Sequence, residues 1–193
     1  MPNWCSNQLV LQHADTAQIR RAIDAFKSGA LLNEFCPCPT ELRDFKPENP
    51  GFLDQEQKDA NLAKYGVESW YEWSIANWGT KWDVGDEDHE DEYQKDDNEV
   101  ILYFDSAWAP PIIAMTHLES AGFTVTLYYW EPGMAFCGIY TSEDGDECVE
   151  YGQLSAEQAK RAIPQEVDDV FGIVESLEEY EEAIKNDNPE TNN

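Results

Sequence analysis

Apolar residues along this chain follow first a strand rhythm and then a helical one. Residues 8–13 read QLVLQH, with Leu9, Val10 and Leu11 consecutive, the pattern of a strand covered on both faces or nearly so. Asp15 or Thr16 is placed to cap the helix that follows, where Ile19, Ile23 and Phe26 recur at i, i+4 and i+7. Gly29 supplies a left-handed residue to end it. Residues 31–39, LLNEFCPCP, begin apolar and stop at Pro37 and Pro39, which have no amide hydrogen to give a sheet. An extended exit is expected there.

Residues 40–66 read as an insertion: a polar, proline-bearing lead, then a mostly polar helix over 54–65 with Leu53, Ala60, Leu62 and Tyr65 to bury. A second helix is expected over 69–78, capped by Ser69, with Trp70, Trp73 and Asn77 on one face and Gly79 at its end. Residues 81–84 read as a short strand. Residues 99–104, EVILYF, are the clearest strand in the chain by their β-branched and aromatic content. DSAWAPP then turns into a helix, with Pro110 or Pro111 at its first position and Ile112, Met115 and Leu118 as its stripe. FTVTLYYW and MAFCGIYT form a hairpin around Pro132-Gly133, and a short strand is expected over 148–151. Ser155 caps a helix that Pro164 breaks. Ile173, Leu177, Tyr180 and Ile184 then make one apolar face of a last helix, with Glu175, Glu178, Glu179 and Glu182 on the other side.

Without the insertion and the C-terminal helices, the order is β–α–β–β–α–β plus a hairpin strand. That is the split βαβ, ferredoxin-like arrangement of the α+β class, an antiparallel sheet with two helices on one face. The domain is expected over residues 1–152, with its insertion at about 40–80 and an acidic hairpin at 83–99. A helical appendage and frayed tail occupy 153–193. Several ordered blocks carry a further likeness: MPNWCSN, the Pro-x-Pro after Phe35, WYEW…NWGTKWD, FDSAWAPP and YYWEPGMAFCG. Over about residues 1–152 the chain resembles the YubB-type family of plasmid and phage proteins. The resemblance implies the ferredoxin-like fold and a mobile-element setting, and it brings no catalytic residues. The acidic run and the tail from Ser155 look peculiar to this chain.

Charge changes the picture most. Forty acids against twelve bases give −28. Such a surface repels DNA, RNA and anionic bilayers, so direct nucleic-acid and membrane binding are excluded and basic partners are favoured. The acids are also segregated. Residues 83–99 hold ten carboxylates and one lysine, residues 143–193 sixteen acids and three bases, but residues 1–27 two acids and three bases. An evenly acidic, salt-adapted surface would not divide in this way. Five cysteines, an odd number, without a leader at MPNWCSNQLVL point to reduced thiols in a host cytosol.

Candidate chemistry is sparse. His13, His89 and His117 stand in no nucleophile–base motif, Cys36-Pro-Cys38 is half a zinc site at most, and DEDHEDE and DGDE lack the EF-hand order. No catalytic residue, metal or cofactor is assigned. Two candidate sites remain. The first is a pair of acidic faces: Asp86, Glu87, Asp88, Glu90, Asp91, Glu92, Asp96 and Asp97, with alternate acids lining one face of a hairpin, and Glu175, Glu178, Glu179 and Glu182 on the last helix. They point to an inhibitor that mimics nucleic-acid charge towards a host defence complex of restriction or CRISPR type. The second is a pocket of Trp78, Lys81, Trp82, Asp105, Trp108 and Glu131, fit for a nucleotide or another small polar ligand. The plainer reading of that pocket makes the tryptophans core and pairs Lys81 with a carboxylate.

Overall fold

The computed structural model describes residues 3–43, 51–85 and 94–187. Strand β1 (Trp4–Gln12) and helix α1 (Thr16–Lys27) open the chain. The Asp15 carboxylate caps α1 by accepting from the Ala17 amide, and Gly29 follows in the left-handed region at φ 68°. Residues 31–35 form a short helix, α2 (Leu31–Phe35), and the chain leaves it through Pro37 and Pro39 outside any helix, Pro39 at φ −54° and ψ 131°. Leu31 and Leu32 turn into the core there. Helices α3 (Gln55–Tyr65) and α4 (Trp70–Trp78) follow, α3 opening on a reciprocal capping box between Asp54 and Gln57. On α3 it is Asn61 that is buried, donating to the Glu68 carbonyl, whereas Leu62 is exposed.

The strands are β2 (Gln94–Asp96), β3 (Glu99–Ala107), β4 (Thr124–Glu131), β5 (Phe136–Thr141) and β6 (Gly145–Glu150), with α5 (Ile112–Ser120) between β3 and β4. Among the described residues they form one sheet in the order β2-β3-β1-β4-β5-β6, antiparallel throughout. The run β2-β3-β1-β4 is the ferredoxin-like order, and β5 and β6 extend it past β4. The expected strand at residues 81–84 is instead a loop. Asp83 anchors it by accepting from the amides of Leu32 (2.7 Å) and Asn33 (3.0 Å) on α2. Leu31 donates to the Val84 carbonyl, and a Cβ on Gly85 would lie 2.3 Å from the Phe26 carbonyl oxygen. The second ferredoxin strand is therefore β2, and Asp97-Asn98 forms the turn between β2 and β3.

Two cores line the two faces of the sheet. Leu9, Leu11, Val100, Leu102, Val125 and Leu127 pack against Ile19, Phe26, Met115 and Leu118 of α1 and α5. On the other face, Cys137 and Ile139 with Tyr128 and Trp130 meet Ala159, Ile163, Val167 and Ile173. The latter belong to α6 (Ala156–Ala162), α7 (Gln165–Phe171) and α8 (Ile173–Asp187), with Ile163 directly after α6. The C-terminal helices thus form a second layer over the β4–β6 end of the sheet. Among the described residues no helix is long and apolar enough to cross a membrane.

Candidate functional site

The first residues of β1 pair with the last of β3, Trp4 opposite Ala107, which brings NWCSN (residues 3–7) and FDSAWAPP to one end of the sheet. A buried polar lattice sets the loop after β3. The Asn7 amide donates to the Cys5 and Phe104 carbonyls and to the Ser106 hydroxyl, which donates to the Ala109 carbonyl at 2.8 Å. Thr80, fully buried after α4, donates to the Ala107 carbonyl. Within this frame Trp108 stands at φ 69°, a conformation that costs a side-chain-bearing residue about 1 kcal/mol or more. Its amide donates to the Asn3 carbonyl, and its indole is 40% exposed.

Around Trp108 an aromatic cluster closes on one cation. The Lys81 ammonium lies 4.4 Å from the Trp82 ring centroid, 5.3 Å from that of Trp108 and 5.6 Å from that of Tyr71. Trp4 continues the cluster, 5.8 Å from Trp82. All four rings are substantially exposed. No described carboxylate forms an ion pair with Lys81, so the rings take the place of the expected acid.

Three of the six proposed pocket residues, Lys81, Trp82 and Trp108, therefore meet. The other three do not join them. Trp78 is fully buried, its indole N–H donating to the Cys36 carbonyl. Asp105 accepts from the Ser6 hydroxyl across the β1–β3 pair. Glu131 is 1% exposed and holds the β4–β5 turn by accepting from the Gly133 and Met134 amides. Tyr71 and Trp4 were missed. Trp4 was detectable only from strand pairing, and Tyr71 only from the seating of α4.

On the acidic side, Glu175, Glu178, Glu179 and Glu182 are all exposed on α8. Asp97 is exposed in the β2–β3 turn, and Asp96 ends β2. Asp86, Glu87, Asp88, Glu90, Asp91 and Glu92, and with them the proposed strand face, lie outside the described residues. The C-terminal acids are not confined to α8: Glu143, Asp144, Asp146, Glu147 and Glu150 are exposed on and before the edge strand β6.

The thiols offer little reactivity. Cys36 and Cys38 are buried, and burial raises both above the ordinary thiol range. Among the described residues no three His, Cys, Asp or Glu side chains gather as a metal site.

Sheet order and helix placement define an α+β protein of the ferredoxin-like type. Residues 77–175, just over half of the chain, match the family model described as the ferredoxin-like domain in Api92-like protein, and the chain belongs to that family. The matched span takes in the acidic run, α6, α7 and the start of α8. The chain is also similar to the crystal structure of a protein, api92, from Yersinia pseudotuberculosis. Identity there is 13% over 79% of this chain and 99% of that chain, with a TM-score of 0.42. No curated protein matches the chain.

Proposed function

We propose that this is an acidic binding protein that occupies a basic, nucleic-acid-handling surface by presenting nucleic-acid-like charge. One observation carries the reading: α8 is anchored through its first half, and four of its five glutamates stand clear of the protein. Ile173 and Val174 are buried, while Glu175, Glu178, Glu179 and Glu182 share an arc of about 100°. At about 1.5 Å rise per residue these four charges span roughly 10 Å, a mean spacing near 3.5 Å. A single DNA strand presents a phosphate about every 3.4 Å of axis. A groove shaped for a phosphate run therefore meets a similar charge density on a rigid rod. The net charge of −28 adds long-range steering towards such a groove.

The resemblance to plasmid and phage proteins of YubB type makes counter-defence the natural setting, with a host restriction or CRISPR-type complex as target in the host cytosol. The test is binding to a nucleic-acid-handling host protein in competition with DNA or RNA. Replacing Glu175, Glu178, Glu179 and Glu182 with glutamine, together with the acids of residues 86–97, should weaken it at least tenfold. Equal inhibition by the neutralised protein would refute mimicry.

The aromatic cluster favours a second reading, a site for a flat polar ligand such as a nucleotide. Four exposed rings and an ammonium that pairs with no carboxylate among the described residues are suited to stack a planar group and hold its anion. On that reading K81M and W108A abolish nucleotide binding in a fluorescence titration, while the glutamine variants leave it intact.

A further inference from the structure

A cavity of about 460 Å³ opens between the β4–β5 turn, the chain after β6 and the first half of α8. Trp130, Pro132, Ala135, Tyr151, Leu154 and Leu177 line it, and its surface is mainly apolar. The polar atoms of its two largest rings are already engaged with each other, the Trp130 indole N–H donating to the Tyr151 hydroxyl at 2.6 Å. Its wall is built against backbone preference. Ala135 stands at φ 57°, held by the Tyr151 amide, which donates to its carbonyl at 2.8 Å. Strain of this kind persists only where the surroundings over-determine it, and it gathers at binding sites.

The apolar stripe of α8 does not end at the cavity. Tyr180, at its mouth, is 65% exposed and Ile184, one turn on, is 48% exposed; Met134 on the facing turn is 70% exposed. Nothing described in the fold covers them. The same helix carries its four free glutamates on the opposite arc, about one helix diameter away, and Glu181 beside the cavity. A docked segment must therefore be apolar towards the cavity and cationic at its flanks. A second copy of this chain meets the first condition and fails the second, since each copy carries −28.

We propose that this groove takes an amphipathic segment of the basic partner. An apolar side chain fills the cavity, further apolar residues run along Tyr180 and Ile184, and flanking arginines or lysines reach the glutamates of α8. The proposal rests on the acidic-face reading and adds an apolar anchor to it, as interfaces with a buried hot spot and a charged rim have. It makes the protein selective for sequence pattern rather than for positive charge alone.

The probes are two synthetic peptides of one leucine–arginine composition, one ordered as an amphipathic helix and one scrambled to have no apolar face. Calorimetric titration at physiological salt should show the ordered peptide binding at least tenfold more tightly. The double variant Tyr180→Ala/Ile184→Ala, altering only exposed side chains, should erase that preference without lowering the melting temperature. Equal binding of the two peptides, or a preference that survives the double variant, would overturn the groove. A dimer in sedimentation that this variant dissociates would overturn it too, by assigning the stripe to a second copy. The readings fail separately. If Glu175, Glu178, Glu179 and Glu182→Gln leaves both affinities and their salt dependence unchanged, charge mimicry falls while the peptide preference still stands.

Discussion

Cys5 sits fully buried near the acids Glu131 and Asp105, and Cys137 sits fully buried under the C-terminal helices. Burial, joined at Cys5 by the Glu131 charge, raises both thiols from 9.0 to about 12. A raised folded-state value means the folded protein holds protons that the unfolded chain releases. The stabilisation from these neutral thiols is therefore complete below about pH 9 and lost as pH rises towards 12. Chemical denaturation midpoints should fall across that window, and Cys5→Ala/Cys137→Ala should flatten the fall. Cys148 alone of the five thiols is exposed, so a thiol reagent near neutral pH should label one cysteine in the native protein and five in denaturant. Such distinctions were not legible in the sequence. Trp78 and Trp82 lie four residues apart in one aromatic block, yet one is fully buried and the other 39% exposed. What separates them is Gly79 at φ 85°, which ends α4 and redirects the chain between them.

At the scale of elements, the strands and helices with a clean period were legible, and those that depend on a distant partner were not. Residues 99–107 and 124–131 alternate buried and less buried positions as paired strands require, and α1, α3, α5 and α6 lie within a residue or two of their caps. Residues 81–84 have strand composition, but Asp83 turns its carboxylate onto the start of α2, and that contact spans about fifty residues. The helix α7 was missed, because the seven residues between Pro164 and Gly172 were too short a window for a period. On α8 the apolar stripe is present as its period predicts, with Ile173 covered and Tyr180 and Ile184 exposed. The Asp83 anchor yields a test at this scale. Asp83→Ala leaves the amides of Leu32, Asn33 and Val84 without their acceptor and should cost about 1–2 kcal/mol in denaturant unfolding. Asp83→Asn, which keeps one acceptor oxygen, should cost less. Equal stability of Asp83→Ala and the parent would show that the loop is held by Val84 and Gly85 instead.

Across the whole molecule, charge works against compactness, and on the proposed reading it also serves recognition. With −28 on 193 residues, self-repulsion is relieved as salt shortens the screening length from about 30 Å at 0.01 M to about 8 Å at 0.15 M. The melting temperature should therefore rise with sodium chloride over that range, whereas partner affinity should fall. A melting temperature indifferent to salt would mean that the carboxylates are locally compensated and that little field reaches a partner. The ferredoxin-like scaffold was legible because element order alone determines it; the partner is not legible because a charged face records a sign and a spacing without a sequence code. The most direct measurement is therefore competitive. The protein would be immobilised, host nucleic-acid-handling proteins captured at low salt, and short duplex DNA or single-stranded RNA used for elution. The account predicts release by nucleic acid at concentrations where an uncharged polymer releases nothing, and at least tenfold weaker capture by the glutamine variant of α8 and residues 86–97. Capture that resists nucleic acid and is equally strong with the neutralised variant would contradict it.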